Sequence, residues 1–84
     1  MEKIKVWNWQ LVHGKNSSSE GWVYQMLMDK RLTCIGDGAM KVIENGSIAN
    51  VGDYLVLFTV ARHGKDELLA VSKEDFETNY ERMT

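Results

Sequence analysis

Proline is absent from this chain and cysteine occurs once, at Cys34. Without proline there is no PxxP recognition segment and no proline-stiffened linker. A lone cysteine forms no intramolecular disulfide, which agrees with a reducing compartment. No apolar run reaches the roughly 18 residues of a membrane-spanning helix. The opening "MEKIKVWNW" lacks the uninterrupted apolar segment of a signal peptide. The expected location is therefore the cytoplasm, with no membrane partner. Positive charge is also scarce. Lys+Arg number 10 against 12 Asp+Glu, a net charge of −2. Binding to duplex DNA needs a basic surface to neutralise phosphates, so direct duplex binding is not expected.

What is present is ordinary for a globular protein: 44% hydrophobic and 26% charged residues in a chain of 84. That size predicts a single domain over residues 1–84, with a modest core. No internal repeat is evident, and "NSSSEG" is the only biased segment.

"KIKVWNWQL" (3–11) is rich in β-branched and aromatic residues and reads as a strand. One face carries Lys5, Trp7, Trp9 and Leu11; the other carries Ile4, Val6, Asn8 and Gln10. A loop follows over 13–21. "SEGWVYQMLMDKR" (19–31) reads as a helix with Ser19 as N-cap and Glu20 near the positive end of the dipole. Trp22, Val23, Met26, Leu27 and Lys30 then share a side. A strand with Trp22, Tyr24, Met26 and Met28 on one face is the open alternative. "RLTCI" is a short strand, "GDG" a turn, and "AMKVIE" a strand. Asn45–Gly46 predicts a type I′ hairpin turn, with "SIAN" returning. Gly52–Asp53 is read as a turn in which Gly52 takes a positive φ and Asp53 accepts backbone N–H groups. "YLVLFTVA" (54–61) reads as the central buried strand, "RHGKDE" as a turn, and "LLAVS" as the returning strand. The last element, "SKEDFETNYERM", reads as a helix. Ser72 and Asp75 resemble a capping box, Phe76 and Tyr80 share a face, and Arg82 suits its C-terminal end. The pattern predicts an α+β domain: a mainly antiparallel sheet or meander, one internal helix and a C-terminal helix.

Candidate chemistry is thin. His13, His63 and Cys34 match no zinc spacing, so no metal is expected. Cys34 in a strand signal reads as a buried, inert thiol rather than a nucleophile. Asp37, Asp53 and Asp66 lie beside Gly or Lys and read as turn residues. "GDGAM" lacks the spacing of a phosphate-binding loop. No catalytic constellation emerges, so neither an enzyme nor a cofactor is expected. The acidic Glu74, Asp75, Glu77 and Glu81 read as a solvated helix face; an acidic surface for a basic partner is the other reading. The aromatic set Trp7, Trp9, Trp22 and Tyr24 carries the candidate binding site. The first strand is apolar on both faces, so a helix, a partner or a ligand must cover one of them.

"AMKVIENGSIANVGDYLV" through "EDFETNYE" resembles a family of short phage and prophage proteins of unassigned function. The matching positions are Gly52, Asp53, Tyr54, Leu55 and Val56, then Gly64, then Phe76 and Tyr80. The opening strand is similar more loosely. The chain departs at Val51, where the family often has proline, at Tyr54, where it often has tryptophan, and in "LLAVS"; residues 13–38 match poorly. The resemblance implies expression in the bacterial host's cytoplasm and carries over no catalytic residue. The expected function is non-enzymatic binding of a host or phage protein, modulating a host process. The alternative is an oligomeric module that sequesters a small nucleotide signal in an anti-defence role. That alternative needs aromatics beside basic groups such as Lys5, Arg31 or Arg62. A small chain with an apolar strand also predicts a homo-oligomer with Trp7 or Trp9 near the contact.

Overall fold

A computed structural model describes residues 3–11, 21–60 and 64–82. In chain order they form strand β1 (Ile4–Gln10), helix α1 (Gly21–Met28), strands β2 (Leu32–Gly36), β3 (Ala39–Val42), β4 (Ile48–Ala49), β5 (Tyr54–Val60) and β6 (Lys65–Val71), helix α2 (Lys73–Asn79) and strand β7 (Tyr80–Arg82). The strands make two sheets, a larger one ordered β6-β5-β1-β7 and a smaller one ordered β2-β3-β4. All pairings are antiparallel except β1 with β7, which is parallel. This is the expected α+β class, with the internal and C-terminal helices in place. The division into two sheets and the closing parallel strand were not read from the sequence.

The unbroken apolar run of β5 follows from burial on both faces, as in any sheet covered from two sides. One face packs Trp9, Leu11, Leu55, Leu57 and Leu68 against Val23 and Met26 of α1 and against Leu32, Met40, Val42 and Ala49 of the small sheet. The opposite face packs Val6, Val56 and Val71 beneath Phe76 and Tyr80. The two-sided character of β1 has the same cause.

The small sheet is fastened to the outer edge of β6 by side chains. Asn45 Nδ2 donates to the Leu68 carbonyl at 2.8 Å, and Ser47 Oγ accepts the Ala70 N–H at 3.0 Å. Arg31 donates to the Asp66 carbonyl at 3.0 Å and pairs with Glu44 at 2.8 Å. An edge strand would otherwise leave these backbone groups open for pairing.

Several local expectations need correction. Asn45–Gly46 is not a type I′ turn, because Gly46 has φ 73° but Asn45 is not at positive φ. The loop spans four residues, closed by Val42 N–H to the Ser47 carbonyl and Gly46 N–H to the Val42 carbonyl. Asn45 instead folds its side chain onto Ser47, accepting from the Ser47 N–H at 3.0 Å. The positive-φ pair of a type I′ hairpin occurs at Asp37 (51°) and Gly38 (78°), between β2 and β3. The returning strand shrinks to Ile48–Ala49. Lys65, Asp66 and Glu67 belong to β6 rather than to a turn. Arg62, His63, His13, Ser19 and Glu20 lie outside the described residues.

Helix α1 confirms the helical reading of its segment, and it ends before Lys30. Lys30 N–H bonds the Leu27 carbonyl and Arg31 N–H bonds the Met26 carbonyl. With Lys30 at φ 61°, this is a Schellman ending with lysine where glycine is usual. The C-terminal helix is also shorter than expected. Ser72 is its N-cap, accepting the Asp75 N–H at 3.1 Å as the capping-box pattern requires. It stops at Asn79, so Tyr80 and Arg82 lie in β7 rather than on the helix. The parallel pairing with β1 captures the chain there, matching Ile4 to Tyr80 and Val6 to Arg82.

The Tyr80 phenol is pushed up from the usual 10.0 by burial first and by the Asp75 carboxylate second. The folded state therefore favours the neutral phenol. That contribution is fully present below the ordinary tyrosine value and is lost as pH rises through the raised one. The thermal midpoint should fall as pH rises above about 10, and Tyr80→Phe should flatten that fall. An identical alkaline profile in the variant would reject the assignment.

Candidate functional site

The structure divides the four aromatic residues. Trp9 is 4% exposed and belongs to the main core, and Trp22 is half-buried against the same cluster. Trp7 and Tyr24 are each 49% exposed. Trp7 and Trp9 share a sheet face, opposite Leu57 and Leu55 respectively. The small sheet and α1 cover the Trp9 end of that face.

At the other end the large sheet opens. The β1–β5 ladder stops at Trp7 opposite Leu57, whereas β5 and β6 pair on to Val60 opposite Lys65, and β1 pairs with β7 from Ile4. Val6 and Phe58, then Lys5 and Thr59, are next in register and do not pair. Between the parted strands lies a cavity of about 340 Å³ lined by Ile4, Lys5, Trp7, Leu57, Phe58, Thr59 and Asp66. Thr59 and Asp66 face each other across β5 and β6, and Thr59 Oγ1 donates to the Asp66 carboxylate at 2.9 Å. The cleft thus combines an indole face, apolar walls, one ammonium group and one oriented carboxylate. Such a mixture of apolar lining and few polar groups is what binding sites offer.

Neither Trp22 nor Tyr24 lines this cleft. Of the basic groups named from the sequence, Lys5 is there; Arg31 is engaged with Glu44 and the β6 edge. Thr59 and Asp66 were missed as site residues. The signal was available, because a short loop near Gly64 sets Thr59 opposite Asp66.

The other candidates separate. Cys34 is exposed, contrary to the buried thiol expected, because β2 is an edge strand and its pairing is irregular between Cys34 and Gly36. Among the described residues no group of three His, Cys, Asp or Glu is placed to hold a metal ion. Asp37 sits in the β2–β3 turn. Asp53 accepts the Asn50 N–H at 2.9 Å and returns its own N–H to the Asn50 carbonyl at 2.9 Å. This is the turn role read from the sequence, with Gly52 at φ 99°. Asp53→Asn should keep both bonds and change stability by less than about 0.5 kcal/mol. A variant that melts unchanged but loses all biological activity would give Asp53 a chemical role instead. In α2, Asp75 accepts from Asn79, and Glu74 and Glu77 are exposed; Glu81 lies in β7 opposite Lys5.

Comparison with family models, with curated proteins and with solved structures returned no match.

Proposed function

We propose that this chain is a small, non-enzymatic phage or prophage protein that binds a host or phage protein through the Trp7 cleft. The observation that carries this reading is Trp7 itself, half exposed beside a gap in an otherwise covered sheet face. The occupant is a partner segment that lays a planar side chain on the indole and offers a carboxylate to Lys5 and a donor to Asp66. Buried aromatic anchors of this kind dominate interface energies. Among the described residues no helix is long and apolar enough to cross a membrane.

The test is affinity purification from bacterial host cells, comparing the unmodified chain with Trp7→Ala and Asp66→Asn. A stoichiometric partner retained by the first and lost from Trp7→Ala supports the reading. The same partner held equally by all three chains would place binding elsewhere and reject it.

The second reading, a small nucleotide signal, rests on Lys5 and Asp66 in the same cavity. They suit a phosphate and a base amino group around a ring stacked on Trp7. Ligand at 100 times its Kd would stabilise the fold by about 2.7 kcal/mol. A panel of mononucleotides and dinucleotides should then raise the melting midpoint by several degrees, and no shift across the panel excludes this reading.

A further inference from the structure

The Trp7 cleft is lined by backbone as well as by side chains. Leu11 N–H donates to the Asp53 carbonyl at 2.9 Å, in the register that continues through Trp9 opposite Leu55 and Trp7 opposite Leu57. In an antiparallel ladder every second residue turns both of its backbone groups to the neighbouring strand. Along this edge Leu11, Trp9, Trp7 and Lys5 therefore face β5, and Asp53, Leu55, Leu57 and Thr59 face β1. Lys5 and Thr59 are the next pair of that kind, and the ladder stops before them. Each turns an N–H and a carbonyl into the gap. The other sides of both strands are already taken there, β5 by β6 as far as Val60 and β1 by β7 from Ile4.

Three features define what this gap accepts. Its backbone groups alternate donor and acceptor on both walls, which suits an extended peptide rather than a simple ion. It is closed at one end, where Trp7 pairs with Leu57 and the small sheet and α1 cover the sheet beyond. A chain entering along the strands must therefore end there. The charges then choose which end. Lys5, Trp7, Leu57, Thr59 and Asp66 all stand on the sheet face that carries Trp9. The Asp66 carboxylate already accepts the Thr59 hydroxyl at 2.9 Å. Among the described residues Lys5 forms no ion pair, and Glu81 opposite it on β7 lies beyond ion-pair reach.

We propose that the cleft takes the C-terminal end of the partner chain. The last residues enter as a short extended segment, pair their backbone with Lys5 and Thr59, and set the terminal carboxylate against the Lys5 ammonium. A planar side chain near that end lies on Trp7. Main-chain bonds supply affinity, and the charge-assisted bond to the carboxylate selects a chain end over an internal stretch. This inference rests on the reading of the cleft as the binding site and adds which part of the partner enters it.

The probe is a library of short peptides displayed with free C-termini. The best-bound sequence is then made with a fluorescent label at its N-terminus, as the free acid, as the C-terminal amide and with a short glycine extension. Selection should enrich an aromatic or other planar residue near the terminus. Fluorescence anisotropy should show the amide and the extended peptide binding at least about ten-fold more weakly than the acid. Lys5→Gln should bind acid and amide alike, Lys5→Arg should keep the preference, and Trp7→Ala should bind neither. Lys5 and Trp7 are exposed, and melting curves of the variants confirm that each is folded. No enrichment, or an amide or extended peptide that binds as tightly as the acid, would overturn the proposal. Enrichment confined to peptides displayed with free N-termini would overturn it in favour of the amino end. A host-cell partner that is lost from Trp7→Ala, yet binds equally with a tag fused after its last residue, would keep the cleft reading and reject this one.

Discussion

Trp9→Ala should unfold most of the population at room temperature, while Trp7→Ala should melt close to the unmodified chain. The two residues are two positions apart on one face of β1, so the contrast isolates what covers each. Trp9 is 4% exposed among Leu11, Leu55 and residues of α1 and the small sheet. Truncating a buried aromatic removes its transfer free energy and leaves a cavity, together about 3–5 kcal/mol. A domain of this size has total stability of roughly the same magnitude. Trp7 stands half in water at the cleft, so its removal costs at most about 1 kcal/mol. Denaturant titration of both variants is the measurement. Equal losses would mean that the indoles are equivalent and that the open cleft is filled in solution. The result also bears on oligomerisation, since a tryptophan needed for the core is not available to a partner.

The sequence revealed the elements better than their assembly. Alternation and β-branched content were sufficient to place β1 and β5, because strand period and burial are local properties. The Ser72 cap was legible for the same reason: the donor, acceptor and spacing lie within four residues. The end of α2 was not. "FETNYERM" keeps a helical pattern, but Tyr80–Arg82 finds a parallel partner in β1, more than seventy positions earlier in the chain. A local propensity of a few tenths of a kcal/mol per residue yields to a ladder of that kind.

The turns show a finer version of the same limit. Asn45–Gly46 and Asp37–Gly38 carry equally strong type I′ signals. Only the second is one, because Asn45 is recruited to hold the Leu68 carbonyl of a different sheet. Cys34 illustrates the reverse error. Its neighbours Thr33 and Ile35 look like strand interior, yet the burial of a strand residue depends on which strands flank it. Here β2 has one neighbour, and the thiol is exposed at its open edge. The cleft was half legible: Trp7 and Lys5 stood out by composition, but the parting of β1 from β5 is a property of the sheet alone.

Phe76→Ala should lower stability by about 2–4 kcal/mol, the second large effect this fold implies. Phe76 is half-buried, so the estimate lies below the full range for a core aromatic. Its ring stacks on Tyr54, with centroids 4.0 Å apart and planes 6° from parallel, and lies 6.1 Å from the Tyr80 ring. Neither flanking ring is held by Phe76 alone, since Tyr54 is in β5 and Tyr80 is tied to Ile4 by the parallel ladder. Yet Phe76 is the α2 side chain in the cluster beneath the helix, beside Val6, Val56 and Val71. Seven residues of helix cannot persist in water without such an anchor, because nucleation is unfavourable and the segment is short. Truncation should therefore release α2 and uncover the second apolar cluster while the first, under the small sheet, stays packed. Amide exchange should accelerate first at Phe76 and Tyr80, whose N–H groups bond the Ser72 and Phe76 carbonyls. Exchange at Val56 should follow only on global opening. A Phe76→Ala chain with an unchanged melting midpoint and protected α2 amides would show that the helix is held by its cap and by β7 instead.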